Sequence, residues 1–226
     1  IRRRLEKRSP LPVSPPLVRL ADAGPGLIPA LGGKAGNLAR VKNELALPVP
    51  DGVVATLSAY KMFMEQEVPG EGGTLLEHLT RKLAALDLAD ESAVAQAARE
   101  LLVLAQPVPE GLARDLVDEA HLLAAGGRML AVRSSGARED LDAATFAGQY
   151  ETFLGIAPEA VPEHWRRVVA SQFGERALIY YKLQGLLLED AAMAVLVQRL
   201  VDARAAGVMF TSDPESCDPD HMVVSA

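Results

Sequence analysis

The chain has 226 residues, 23 Lys+Arg against 30 Asp+Glu, a net charge of −7 and 49% hydrophobic residues. That length suits one large domain or two small ones with a real buried core, and makes general disorder an unsuitable description. The acidic balance argues against a nucleic-acid binder, since no excess of cations exists to neutralise a phosphate backbone. A single cysteine, Cys217, excludes an internal disulfide and a Cys-rich zinc site. It fits a reducing, cytoplasmic setting.

Residues 1–19 read as a proline-rich basic linker. Pro10, Pro12, Pro15 and Pro16 fix φ and withhold donors, which disfavours a helix or a central strand. The segment has no apolar signal core. The chain opens on Ile1 rather than Met, so a processed or excised polypeptide is expected. Residues 20–226 then form the domain. Gly32-Gly-Lys-Ala-Gly-Asn37 reads as a loop feeding a helix over Asn37 to Ala46, and Pro48 to Gly52 as a turn. Val53 to Ala55 reads as a short strand, and Thr56 as the N-cap of a helix through Gln66. Gly70 to Gly73 reads as a flexible loop.

Residues 74–125 carry three apolar stripes at helical spacing: Leu75, Leu79, Leu83 and Leu86; Val94, Leu101, Leu102 and Ala105; Leu112, Leu116 and Leu123. This is a helical insert that packs. After Gly126-Gly127 the period changes. Met129 to Val132 and Tyr150 to Ile156 read as strands, and Glu159 to Phe173 and Glu175 to Gln184 as helices. Met193 to Leu200 and Ala206 to Thr211 read as two strands of one hairpin. The mixture predicts an α/β or α+β fold. No apolar stretch reaches membrane-spanning length without charges.

Three places could carry chemistry. The glycine-rich stretch around Lys34 offers helix-start N–H groups and a mobile cation to an anion. It is not a Walker A loop, because Ala35 follows the lysine and Ile28 stands where the first glycine belongs. Arg133-Ser134-Ser135 follows the Met129–Val132 strand, so a guanidinium fork and two hydroxyls would sit at a strand end, a common ligand position in open sheets. The small polar stretch after it, through Gln149, has the make-up of a flap, and equally of a surface loop. Gln198 to Val201, where a strand enters its turn, could read adenine through backbone groups, or be a plain hairpin. His78, His121, His164 and His221 sit beside charged or polar neighbours and at no metal-ligand spacing, and Glu139, Asp140 and Asp142 lack EF-hand spacing.

Together the segments resemble the N-terminal ATP-binding domain of the phosphoenolpyruvate synthase and pyruvate phosphate dikinase family. The matching residues are Gly32-Gly-Lys-Ala-Gly-Asn-Leu38, Val49-Pro-Asp-Gly52, Ala131-Val-Arg-Ser-Ser135, Glu139-Asp-Leu141, Thr145-Phe-Ala-Gly-Gln149, Val197-Gln-Arg-Leu-Val201 and Ala206 to Pro214, in the family's order.

The resemblance implies the first lobe of an ATP-grasp type domain, with ATP as ligand. Lys34, Arg133, Ser134, Ser135, Gly148 and Gln149 would then hold its phosphates, and Gln198, Arg199, Leu200 and Val201 its adenine. The chemistry implied is transfer of the β-phosphoryl group to a histidine on a swivelling domain, then to pyruvate, so that ATP, pyruvate and water give phosphoenolpyruvate, AMP and phosphate. Ala137 replaces a threonine of the family pattern, and Arg138 beside it could compensate. The family's Mg²⁺ ligands, its phosphocarrier histidine and its pyruvate-binding barrel have no counterpart here and are expected beyond residue 226. The chain is therefore expected to be inactive alone, and a homodimer is conceivable. Alternatives are a related dikinase with another acceptor (phosphate with pyruvate, an antibiotic or a glucan) and a non-catalytic adenine-nucleotide-binding module.

Overall fold

The computed structural model describes residues 12–70, 72–87, 91–99, 106–136, 150–184, 192–213, 218 and 220–225. Its centre is a five-stranded antiparallel sheet of β1 (Leu17–Arg19), β2 (Gly52–Ala55), β3 (Leu130–Gly136), β4 (Thr152–Ile156) and β5 (Met193–Arg199), in the order β1-β2-β5-β3-β4. The last of these five strands in sequence is thus the middle one in space. Met193 to Gln198 are all buried, as expected of a short unbroken apolar run covered on both faces.

Around the sheet lie α1 (Gly32–Asn43), α2 (Leu57–Met64), α3 (Leu75–Ala85), α4 (Glu91–Arg99), α5 (Glu110–Leu123), α6 (Val161–Ser171) and α7 (Glu175–Gln184). One sheet face carries Ala131, Arg133 and Ser135 of β3 with their partners Gln198, Leu196 and Ala194 of β5. The turn at Leu20 and the start of α1 cover part of it. The other face packs on α2, α5 and α6. There Trp165 and Phe63 bury completely and meet edge to face, centroids 5.2 Å apart, a pair worth about 0.5–1.5 kcal/mol beyond burial.

Thr56 caps α2 by accepting from the Ser58 N–H, and Thr74 with Glu77 forms a capping box on α3. The predicted stripes of the insert hold: Leu75, Leu79, Leu86, Val94, Leu112, Leu116 and Leu123 join the same core as the sheet. Leu101, Leu102 and Ala105 lie outside the described residues.

Four expectations change. The linker reading stops short of residue 19: Leu17–Arg19 pair with Ala55 to Val53, and Pro15 and Pro16 accept bonds from Thr56 through their carbonyls. Proline withholds a donor but keeps its acceptor, and β1 is an edge strand, where that suffices. The glycine-rich loop is itself the first turn of α1, which starts at Gly32 instead of Asn37. Arg133 to Gly136 continue β3 rather than follow it. Finally, β5 forms no hairpin with the next strand. Both its edges are taken by β2 and β3, so β6 (Val208–Phe210) pairs instead with β7 (Val223–Ser225) in a separate exposed ribbon. Among the described residues no helix is long and apolar enough to cross a membrane.

Candidate functional site

The start of α1 is built against the end of β3. Gly32 has φ +71°, and a Cβ there would lie 2.0 Å from the Ser135 carbonyl oxygen. Only glycine permits both the left-handed backbone and that approach. The buried Ser135 hydroxyl accepts from the Ala35 N–H at 2.9 Å and donates to the Leu31 carbonyl at 2.8 Å. It thus bridges the first i→i+4 pair of α1, Leu31 and Ala35, and ties that turn to the end of β3. Lys34, one residue earlier, donates to the Ser134 hydroxyl at 3.4 Å.

Of the six residues predicted to hold phosphate, Ser135 seats the start of α1 and Lys34 on α1 reaches Ser134, while Arg133 shares the Ser135 face of β3 and the buried Ser134 alternates to the opposite one. Their roles differ. The Ser135 proton is committed to Leu31, so this hydroxyl is a strut for α1 and has no hydrogen left for a phosphate oxygen. Arg133 lies on the same face of β3, half-buried, between Leu196 and Thr152. Its guanidinium makes no hydrogen bond or ion pair among the described residues. Gly148 and Gln149 lie outside the described residues, as do Glu139, Asp140, Asp142, Ala137 and Arg138.

The residues predicted to read adenine sit at the other end of the β3–β5 pair. From Leu196, opposite Arg133, to Leu200 is four residues, about 13 Å of strand. Much of the hinge is already engaged. The Arg199 and Leu200 N–H groups donate to the Asp51 and Met129 carbonyls, each at 2.9 Å. The Gln198 amide donates to Pro50, and the Arg199 guanidinium to the Leu123 carbonyl and the Asp51 carboxylate. Gln198 and Arg199 are framework, and their N–H groups are not free readers of a base. Val201 is exposed and Leu200 half-buried beside it.

Asp51 is the residue that sequence reasoning passed over. Its carboxylate takes Lys42 at 3.1 Å and Arg199 at 3.4 Å. The Lys42 bond holds its pKa below the ordinary 3.8; partial desolvation opposes that shift, and the charges of Lys42 and Arg199 add to it. The signal was the Val49-Pro-Asp-Gly52 segment, read as a turn and as part of the resemblance with no role given to Asp51.

Two of the histidines, His78 and His164, hold backbone carbonyls. His78 is buried despite its charged neighbours in sequence, with Nε2 2.8 Å from the Gly72 carbonyl. His164 holds the Ala160 carbonyl and packs its ring on Phe153. His121 and His221 lie by Glu159 and Asp218. No group of three His, Cys, Asp or Glu among the described residues could hold a metal ion. The Lys34 and Arg133 cations repel Mg²⁺, and the Ser134 and Ser135 hydroxyls are engaged by Lys34, Ala35 and Leu31.

The profile of one protein family, "Pyruvate phosphate dikinase, AMP/ATP-binding domain", matches residues 28–226. The chain belongs to that family. This AMP/ATP-binding domain family supports ATP binding by the chain, and the antiparallel α+β architecture is consistent with a nucleotide-binding domain. A rifampicin phosphotransferase of Streptomyces is 36% identical over 93% of the chain and 24% of its own length. A probable phosphoenolpyruvate synthase of Methanocaldococcus jannaschii is 34% identical over 86% of the chain and 16% of its own length. The phosphoenolpyruvate synthase of Aeropyrum pernix is 33% identical over 92% and 25%. The chain thus spans a quarter or less of the length of these relatives.

Proposed function

We propose that this chain is the ATP-binding part of a phosphoenolpyruvate synthase-like phosphotransferase, and that ATP lies along the Arg133 face of the β3–β5 pair. The observation that carries the reading is Arg133 itself. It is a half-buried guanidinium on a central strand, without a partner among the described residues, on the same β3 face as the strut that fixes the Lys34-bearing end of α1. A cation so placed is built for an anion that arrives. Lys34 and Arg133 would take phosphate oxygens, with Ser135 holding α1 in place, and Ser134, buried on the opposite face of β3, stays in the phosphate set on the resemblance alone. Leu200 and Val201 would flank the base, and Gln198 and Arg199 would fix the hinge. Gly148 and Gln149 stay in the phosphate set on the resemblance alone.

The reaction proposed for the protein is that of a phosphoenolpyruvate synthase: the β-phosphoryl group of ATP passes to a histidine elsewhere as AMP leaves, water takes the γ-phosphoryl group to give phosphate, and the histidine passes its phosphoryl group to pyruvate to give phosphoenolpyruvate. Phosphoryl transfer of this kind asks for positioning and charge neutralisation more than covalent chemistry, and Lys34 and Arg133 can supply both. Mg²⁺ would add charge neutralisation at the phosphates. Its ligands are sought outside the described residues, and no step is drawn through it.

A second acceptor is favoured by one observation, the 36% identity to a rifampicin phosphotransferase. The deciding experiment is AMP formation by the full native polypeptide with ATP and either pyruvate or a rifamycin. Pyruvate-dependent AMP and phosphoenolpyruvate are expected. AMP only with the rifamycin replaces the acceptor, and no AMP with either overturns the catalytic reading. In the same protein Arg133→Ala should weaken ATP binding far more than His164→Ala. Equal effects would remove the site assignment.

A further inference from the structure

Helix α1 ties the two ends of the candidate nucleotide site together. Lys34 stands near its first residue and Lys42 near its last, eight residues or about 12 Å apart along the axis. Lys42 donates to the Val49 carbonyl at 2.9 Å and to one Asp51 oxygen at 3.1 Å. The other Asp51 oxygen faces the Arg199 guanidinium at 3.4 Å. The carbonyls of the same short segment repeat the pattern: Val49 accepts from Lys42, Pro50 from the Gln198 amide, and Asp51 from the Arg199 N–H.

Three successive residues therefore strap the far end of α1 to the exit of β5. An ordinary exposed ion pair joins two side chains and contributes little. This carboxylate instead uses its two oxygens on two elements, one leading to the phosphate end of the site and the other to the base end.

We infer that Asp51 is a positioning residue which sets the spacing between the phosphate-holding start of α1 and the base-flanking hinge at Leu200-Val201, so that a ligand reaching both ends is held better than one reaching only the hinge. The inference rests on the reading of the site given above. AMP carries the base and one phosphate, whereas ATP must satisfy the hinge and Lys34 with Arg133 at once. Only ATP feels an error in spacing.

The test is the affinity of the full native polypeptide for ATP and for AMP, in the wild type and in Asp51→Asn, Lys42→Met and Arg133→Ala. Asp51→Asn keeps the shape and removes the charge that joins Lys42 to Arg199. It should weaken ATP about tenfold and AMP less than twofold. Lys42→Met cuts the same junction from the helix side and should give the same split, which covers the case in which Asp51→Asn folds poorly. A merely structural role would lower both affinities together. Equal losses for ATP and AMP, or no loss in either variant, would overturn the inference. If Arg133→Ala weakens ATP while Asp51→Asn and Lys42→Met are silent, the inference falls and the site stands. If the wild type does not bind ATP, or Arg133→Ala leaves it unchanged, the reading of the site falls and takes the inference with it.

Discussion

Arg133 and Arg199 lie on neighbouring strands of one sheet, and both are half-buried, yet they answer to different demands. The Arg199 side chain is on the α5 side, bonded to the Leu123 carbonyl and beside Asp51. Arg133 is on the face shared with Ser135 and has no hydrogen bond or ion pair among the described residues. An arginine with its donors satisfied stabilises the fold at little gain to a ligand. One whose donors are unmet inside a partly desolvated face is a standing demand for an anion. What separates a functional cation from a structural one here is which acceptors the fold has already placed around it.

The comparison can be broken from the side of the frame. Gly32→Ala should have the largest effect. The added Cβ meets the Ser135 carbonyl at 2.0 Å on a backbone with φ +71°, so α1 must lift from β3. A loss of about 3 kcal/mol is expected in denaturant unfolding, with ATP binding lost although neither arginine is touched. Unchanged stability would mean that α1 is not seated on β3. Ser135→Ala should cost less, about 1–3 kcal/mol, because it removes the two buried hydrogen bonds by which β3 holds the first turn of α1, each worth about 0.5–1.5 kcal/mol. A neutral result in the same titration would reduce Ser135 from strut to bystander.

The smallest effect concerns the Arg199 side. The Asp51 carboxyl has a depressed pKa in the folded chain. Its contribution is therefore complete above the unfolded value near 3.8 and is lost as pH falls through the lower folded value. Wild type should lose its stability advantage over Asp51→Asn only in that acid range. The difference should stay below about 1 kcal/mol, because the carboxylate is about half exposed. An advantage lost between pH 5 and 7 instead would assign it to another group.

Much of this was legible beforehand, and the failures have a common cause. The apolar run Met193 to Val197 announced a buried strand, and Leu75, Leu79, Leu112 and Leu116 announced packed helices, because burial leaves a local period. Thr56 announced its cap because the acceptor and donor lie two residues apart. Partner choice leaves no such mark. The run at Val208 looked like the mate of β5, but β5 had already filled both edges with strands from far earlier in the chain. Ser135 looked like a phosphate donor because nothing local shows that the Leu31 carbonyl, 104 residues away, takes its proton. Asp51 looked like a turn residue because Arg199, its ion-pair partner, comes 148 residues later.

The central claim is the division of labour between the two arginines, and the most direct test crosses two readouts on two variants. ATP affinity by calorimetry and unfolding by denaturant would be measured for Arg133→Ala and Arg199→Met in the full native polypeptide. The account predicts that Arg133→Ala weakens ATP about 100-fold, some 2.7 kcal/mol, with stability held within about 0.5 kcal/mol. It predicts that Arg199→Met loses about 1–2 kcal/mol of stability and weakens ATP no more than about tenfold. An Arg133→Ala protein that binds ATP like the wild type, or that loses stability while Arg199→Met loses only the ligand, would contradict it.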